Sequence, residues 1–202
     1  MKKQFKILLV ILSLVFIAIT ILVKMNITAS FDDCIYKFII SFKNDTITNI
    51  FKLITDLGDT IAIITMLIFS FILFKNKIYP KLMTLNICCI VVINQLLKHI
   101  IRRPRPEIIR LVEEGGFSFP SGHSMASFGF YGLLIYIVYK SKLNKKLKIF
   151  LISTLSILIS LIGISRIYLG VHYASDVIGG FIMSYICLIL FTNFTKKYFK
   201  KV

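Results

Sequence analysis

The stretch ILLVILSLVFIAITILV occupies residues 7–23 and contains no charged residue. Five more uncharged stretches of 15 to 19 residues follow, at residues 60–74, 82–97, 124–139, 149–165 and 177–195. Each is slightly shorter than the roughly 20 residues that span a hydrocarbon core, but snorkelling lysines and adjoining polar residues extend it. Lys2, Lys3 and Lys6 precede the first stretch without an A-x-A cleavage site after it, so we expect a retained span. The pattern predicts an all-α, polytopic membrane bundle of six transmembrane helices.

Composition supports a membrane protein. Hydrophobic residues make up 57% of the 202 residues, which is more apolar surface than one soluble core of this size buries. Lysine and arginine outnumber aspartate and glutamate by 25 to 9, but no basic stretch is interleaved with aromatic residues on a soluble face, so nucleic-acid binding is not expected. No linker or repeat divides the chain, and we expect one domain over residues 1–202.

The distribution of charge predicts the topology. With the N-terminus in the cytoplasm, the inner segments carry 15 basic residues and no acidic residue, and the outer segments carry 10 basic residues and all 9 acidic ones. This asymmetry follows the positive-inside rule. We therefore expect both termini of this multi-pass cell-membrane protein to be cytoplasmic.

The first outer segment, residues 31–59, has apolar residues at helical spacing. It predicts amphipathic helices on the outer membrane surface, with Asp32, Asp33 and Asp56 facing water. Two roles stay open for this segment, which are covering the bundle and guiding a substrate.

Three polar clusters lie on the predicted outer side. They are KHIIRRPRP at residues 98–106, FPSGHS at 119–124 and SRIYLGVHYASD at 165–176. Lys98, Arg105 and Arg166 would together form a pocket for a multiply charged anion, for which phosphate is the best candidate. The residues Pro120-Ser121-Gly122-His123 precede an apolar run, so the free N–H groups of that helix N-terminus would face the same anion.

The histidines in these clusters predict a reaction. His172 and Asp176 are one helical turn apart, so the carboxylate can orient one ring nitrogen while the other faces the substrate. A neutral imidazole attacking phosphorus would form a phosphohistidine, and His123 would protonate the departing oxygen. We expect His99, which lies outside these patterns, to be a packing residue.

These residues resemble the type 2 phosphatidic acid phosphatase family of integral membrane lipid phosphatases. The family pattern K-x6-RP, PSGH, SR-x5-H-x3-D is matched at every fixed position between Lys98 and Asp176. The resemblance implies a metal-independent phosphatase without a cofactor, with His172 as nucleophile, Asp176 as its orienting partner and His123 as general acid. It also implies that the phosphate ligands are Lys98, Arg105, Ser121, Gly122 and Arg166.

The sequence specifies the substrate less closely than the reaction. A polyprenyl diphosphate such as undecaprenyl diphosphate is the first expectation, because Arg102, Arg103 or Arg110 would hold its second phosphate. Phosphatidic acid and phosphatidylglycerol phosphate are the alternatives, in which these arginines are solvated or touch head groups. Glu113 and Glu114 are expected to face water. A lipid or anion transporter and a vanadium-dependent haloperoxidase are weaker alternatives, because the charges cluster at one surface and six spans are predicted.

Overall fold

The computed structural model describes residues 3–199, and this part of the chain contains eight α-helices, one short 3-10 helix and no β-strand. The helices are α1 (Lys3–Lys24), α2 (Ala29–Ile40), α3 (Asp45–Asp56), α4 (Thr60–Leu73), α5 (Ile78–Ile101), α6 (Gly122–Lys140), α7 (Lys145–Tyr168) and α8 (Ala174–Phe194), followed by the 3-10 helix Lys196–Phe199. The all-α prediction is confirmed. Each uncharged stretch lies, to within one residue, in a helix of its own. Lys2, Lys200 and Lys201, which the topology argument also counted, lie outside the described residues.

Helix α6 occupies the centre of the bundle, where it packs against α5, α7 and α8. Small residues permit this packing. A side-chain carbon at Gly129 would lie only 2.5 Å from Ile90 Cδ1 on α5. The amide of Asn86 also donates to the Gly129 carbonyl at 2.9 Å, which satisfies a polar group inside the bundle.

Four helices, α1, α5, α7 and α8, are long and apolar enough to cross a membrane, which makes this a multi-pass membrane protein. A fifth span is obtained if α3 and α4, which are bent by 51° at their junction, count as one. Helix α4 has only 14 residues, which is too short for a span of its own. Helix α6 is not counted as a span by its composition, because it begins with polar and small residues that face protein rather than lipid. The count of six spans therefore stays a prediction.

The segment at residues 31–59, for which amphipathic helices were predicted, contains most of α2 and all of α3. Asp33 and Asp56 are exposed, as expected. The expectation that Asp32 faces water is wrong, because its side chain is buried where α2 packs against α7 and α8.

Backbone contacts bring the three polar clusters together. Helix α5 ends at Ile101, and Arg102 adopts a left-handed conformation with φ 53°, so the chain leaves the helix just before Pro104. The amide of Ser118 donates to the Arg103 carbonyl at 2.8 Å, and the amide of Ser121 donates to the Asp176 carbonyl at 3.1 Å. The first cluster is thereby bonded to the residue directly before the second cluster, and the second cluster is bonded to the start of α8.

Candidate active site

The predicted histidine–aspartate pair is formed in the interior. His172 lies in the short connection between α7 and α8, and Asp176 lies in the first turn of α8. His172 Nδ1 is 3.4 Å from Asp176 Oδ2, and both side chains are almost fully buried. Asp176 Oδ2 also accepts from the backbone amide of Tyr173, the residue that precedes α8, at 2.9 Å, and this contact holds the carboxylate at the start of the helix.

Neighbouring groups determine the tautomer of His172. Arg105 Nη1 lies 3.2 Å from His172 Nε2, and because a guanidinium can only donate, Nε2 is the acceptor. The ring proton is therefore on Nδ1, facing Asp176. Burial lowers the pKa of His172 to about 3, although the Asp176 carboxylate acts to raise it. The imidazole is neutral at physiological pH, with its lone pair on Nε2.

Two arginines are held rigidly around this imidazole. Arg105 donates to the carbonyl oxygens of Gly115 at 2.7 Å and Val171 at 2.9 Å. Arg166 donates through Nη1 to Thr55 Oγ1 on α3 at 2.8 Å, and its Nη2 pairs with Glu114. Arg166 Nε is the one buried side-chain nitrogen or oxygen in residues 3–199 that lacks a hydrogen-bond partner. A buried donor of this kind is suited to an oxygen of a bound anion.

The third predicted cation, Lys98, is also buried. Its ammonium donates to the Phe117 carbonyl at 2.8 Å from the last turn of α5. It lies within electrostatic range of Arg105 and Arg166, as well as of Glu114 and Asp176. The structure therefore brings the three cations of the two flanking clusters into one region.

The PSGH cluster forms the N-terminus of α6. Ser121 caps this helix, with its hydroxyl oxygen accepting from the Ser124 amide at 3.4 Å and from the Ser124 hydroxyl at 2.9 Å. Gly122 is the first helical residue, and His123 follows it in the first turn. His123 Nε2 lies 3.7 Å from Asp59 Oδ1, at the N-terminus of α4. The His123 side chain is 15% exposed.

Several residues that contact the candidate site were not predicted. Glu114 was expected to face water, but it pairs with Arg166 and lies 3.7 Å from Arg105 Nη2. Ser118 donates its hydroxyl proton to Asp176 Oδ2, and its oxygen is 3.3 Å from His172 Nδ1. Arg103 was assigned to water, head groups or a second phosphate, and all three expectations are wrong, because its side chain is buried against Asp176.

Two of these residues carried a signal in the sequence, since Ser118 directly precedes the Phe119–Ser124 cluster and Arg103 lies within the cluster at residues 98–106. Arg102 and Arg110 are exposed, as one alternative predicted, and Arg110 donates to the Pro106 carbonyl at 3.1 Å.

Known proteins are similar to this chain in sequence and in fold. The model of the PAP2 superfamily matches residues 81–200, which include all three clusters. The chain belongs to the PAP2 superfamily. It is 32% identical over 191 residues to phosphatidylglycerophosphatase B of Bacillus subtilis (strain 168), covering 92% of this chain and 94% of that protein. It is therefore a lipid phosphatase.

Solved structures of this superfamily have the same fold. A transmembrane PAP2-type phosphatidylglycerolphosphate phosphatase from Bacillus subtilis matches with a TM-score of 0.85 and 31% identity, over 94% of this chain and 96% of that one. LpxE of Aquifex aeolicus matches with a TM-score of 0.64 and 28% identity, over 78% of this chain and 92% of that one. The family resemblance noted from the motifs is confirmed by these matches.

Proposed function

We propose that this lipid phosphatase removes the phosphate monoester of phosphatidylglycerol phosphate. The observation that carries the proposal is its 32% identity to phosphatidylglycerophosphatase B over nearly the whole chain, together with the TM-score of 0.85 to a phosphatidylglycerolphosphate phosphatase. This choice reverses the order of substrates expected from the sequence, in which a polyprenyl diphosphate came first.

The positions of the arginines also favour a monoester. The diphosphate expectation needed Arg102, Arg103 or Arg110 to hold a second phosphate. Arg103 is already bound to two buried carboxylates, and Arg102 and Arg110 are exposed. The buried cations Lys98, Arg105 and Arg166 suffice for the oxygens of a single phosphoryl group.

In the proposed mechanism His172 Nε2 attacks phosphorus. The bond from phosphorus to the lipid oxygen breaks, His123 donates a proton to that oxygen, and the phosphoryl group is left on Nε2. Water then attacks the phosphorus, the Nε2–phosphorus bond breaks, and His123 takes up the proton that the water loses. Asp176 accepts from Nδ1–H in both steps and stabilises the positive charge that develops on the imidazole.

The phosphate ligands supply the positive field for both steps. Arg166 Nε has no protein partner, and Arg105 lies beside the attacking nitrogen, so both can donate to the equatorial oxygens. Lys98 adds a third charge. Ser121 and Gly122 contribute the N-terminus of α6, where backbone N–H groups and the helix dipole favour an anion.

We further propose that the site faces the outside of the cell membrane in a single domain of six spans with cytoplasmic termini. The support is the charge asymmetry of the loops, since every acidic residue belongs to the segments that the positive-inside rule predicts to share one side with His172. The lipid would then enter laterally from the outer leaflet, with its tails among the helices.

Phosphate release by purified protein tests the substrate. The panel comprises phosphatidylglycerol phosphate, phosphatidic acid, undecaprenyl diphosphate and a water-soluble monoester, compared by kcat/KM. We expect phosphatidylglycerol phosphate to be the best substrate. A higher kcat/KM for undecaprenyl diphosphate would overturn the proposed substrate, and hydrolysis of the soluble monoester alone would overturn the role of the lipid.

A further inference from the structure

A buried ion cluster lies at the Nδ1 side of His172, across the imidazole from the Nε2 atom that Arg105 contacts. Arg103 Nη1 is 2.6 Å from Asp176 Oδ1, and Arg103 Nη2 is 2.7 Å from Asp32 Oδ2. Their side chains are 8%, 0% and 1% exposed, in the order Arg103, Asp176, Asp32. One guanidinium thus bridges a carboxylate of the candidate site and a carboxylate of the outer helix α2.

Ser175 and Tyr173 complete the cluster. The Ser175 amide donates to Asp32 Oδ1 and its hydroxyl donates to Asp32 Oδ2, both at 2.8 Å. The Ser175 hydroxyl oxygen also accepts from Arg103 Nη1 at 2.8 Å, and the guanidinium carbon lies 3.9 Å from the centre of the Tyr173 ring. Both oxygens of Asp32 and both terminal nitrogens of Arg103 therefore have partners, as a buried ion pair requires.

The cluster fixes the rotation of the Asp176 carboxylate. Arg103 binds Oδ1, which leaves Oδ2 for His172 Nδ1, Ser118 and the Tyr173 amide. If Arg103 were absent, Oδ1 would have no partner in residues 3–199, and only the contacts of Oδ2 would hold the carboxylate against the imidazole.

The cluster also determines the charge behind the nucleophile. Two carboxylates share one guanidinium, so the cluster carries one net negative charge. The imidazole is neutral before attack and positive once phosphorylated on Nε2. The net negative charge therefore stabilises the intermediate and the transition state leading to it more than the resting state, which is the condition for raising kcat.

We propose that Asp32 and Arg103 are positioning residues of the phosphatase reaction, which act on His172 through Asp176. The inference rests on the proposed function of His172. It gives the outer helix α2 a role beyond covering the bundle, because α2 supplies the carboxylate that holds Arg103 in place.

The test compares Asp32→Asn with Asp33→Asn. The two residues are adjacent on α2, but Asp33 is exposed and pairs only with Lys37 in the described part of the chain. On the best lipid substrate of the wild type, we expect Asp32→Asn to lower kcat by roughly 10-fold to 100-fold, as for other partners that orient a reactive group, with KM within about 3-fold. Asp33→Asn should retain wild-type kcat. Equal kcat in the two folded variants would overturn the inference.

A double-mutant cycle tests the proposed route through Arg103. If Asp32 acts through Arg103, then adding Asp32→Asn to Arg103→Gln should lower kcat by less than about 3-fold beyond Arg103→Gln alone. If the two substitutions instead lowered kcat independently, so that their fold-losses multiplied in the double variant, the proposed action of Asp32 through Arg103 would be overturned. A wild type with no activity on any lipid would instead refute the proposed function, so the two failures are distinguishable.

A milder variant covers the case in which Asp32→Asn fails to fold, as judged by thermal unfolding. Ser175→Ala keeps all three charges and removes only the hydroxyl that joins Asp32 to Arg103. We expect its kcat to fall by about 3-fold or more at unchanged KM, because loosening a partner of a reactive group slows the chemical step. Wild-type kcat in Ser175→Ala would then overturn the inference.

Discussion

Glu114 pairs with Arg166 inside the candidate phosphate pocket, through Oε2 and Nη2. A carboxylate therefore takes one hydrogen-bond donor of a guanidinium that we assign to the substrate phosphate. Glu114 also lies 3.7 Å from Arg105, so it neutralises part of the positive field while no phosphate is bound. A phosphoryl group on Arg166 Nε must compete with this carboxylate on Nη2 for the positive charge of the guanidinium.

This competition predicts the effect of Glu114→Gln on anion binding. Removing the charge should strengthen inhibition by orthovanadate, which takes up a geometry like that of the transferring phosphoryl group. We expect the inhibition constant to fall by about 10-fold, equivalent to about 1.4 kcal/mol. Glu113→Gln is the matched control, because Glu113 is the adjacent and exposed glutamate. Equal inhibition constants in both variants would contradict the competition.

The low pKa of His172 predicts an imidazole that does not titrate near neutrality. The chain has three histidines, so ring-labelled NMR signals can be assigned with single His→Ala variants. In the absence of phosphate, the His172 signal should stay in its neutral form down to about pH 4, because burial lowers its pKa to about 3. A midpoint near pH 6.5 would show that the ring is not desolvated as described.

The lowered pKa of His172 also makes the stability of the folded state depend on pH. An unfolded histidine gains a proton below about pH 6.5, whereas His172 in the fold does not until about pH 3. The folded state should therefore lose stability progressively as the pH falls between these two values.

The proposed topology predicts which residues an impermeant thiol reagent labels. In a variant without the four native cysteines, Ile109→Cys should be labelled in intact cells, since Ile109 is 80% exposed and its carbonyl adjoins Gly170, near His172. Lys142→Cys, in the loop between α6 and α7, should be labelled only after permeabilisation. Labelling of Lys142→Cys but not of Ile109→Cys in intact cells would mean that the protein has the opposite orientation in the membrane.

The proposed phosphate ligands also predict that no metal is required. Lys98, Arg105, Arg166 and the N-terminus of α6 would supply the positive field that magnesium or zinc provides in other phosphatases. Turnover should therefore survive an excess of chelator unchanged. A loss of activity that added magnesium restores would contradict this assignment.

Much of the fold was accessible from the sequence because it depends on local patterns. Uncharged runs predicted the helices, and Pro104 and Pro106 explain why α5 ends at Ile101 rather than continuing to Arg105. The motif residues could be predicted because each cluster is contiguous in sequence, and the loop charges predict that all three clusters lie on one side of the membrane.

The residues that the sequence did not reveal depend on distant partners. Asp32 and Arg103 are 71 positions apart, and Glu114 and Arg166 are 52 positions apart. Helical spacing predicted amphipathic helices within residues 31–59, but it did not show that α7 and α8 would bury Asp32. A charged residue is ordinarily exposed, and only the tertiary partner makes its burial favourable.

The central claim is that His172 carries the phosphoryl group, and trapping that intermediate tests it most directly. Wild-type protein and substrate radiolabelled in the transferred phosphoryl group would be mixed, quenched in alkali within a single turnover and mapped by peptide. The account predicts an alkali-stable label on the peptide containing His172, no label in His172→Ala, and formation roughly 100-fold to 10,000-fold slower in His123→Ala, as expected for loss of a general acid. Turnover without any labelled wild-type protein, or an equal label in folded His172→Ala, would contradict it.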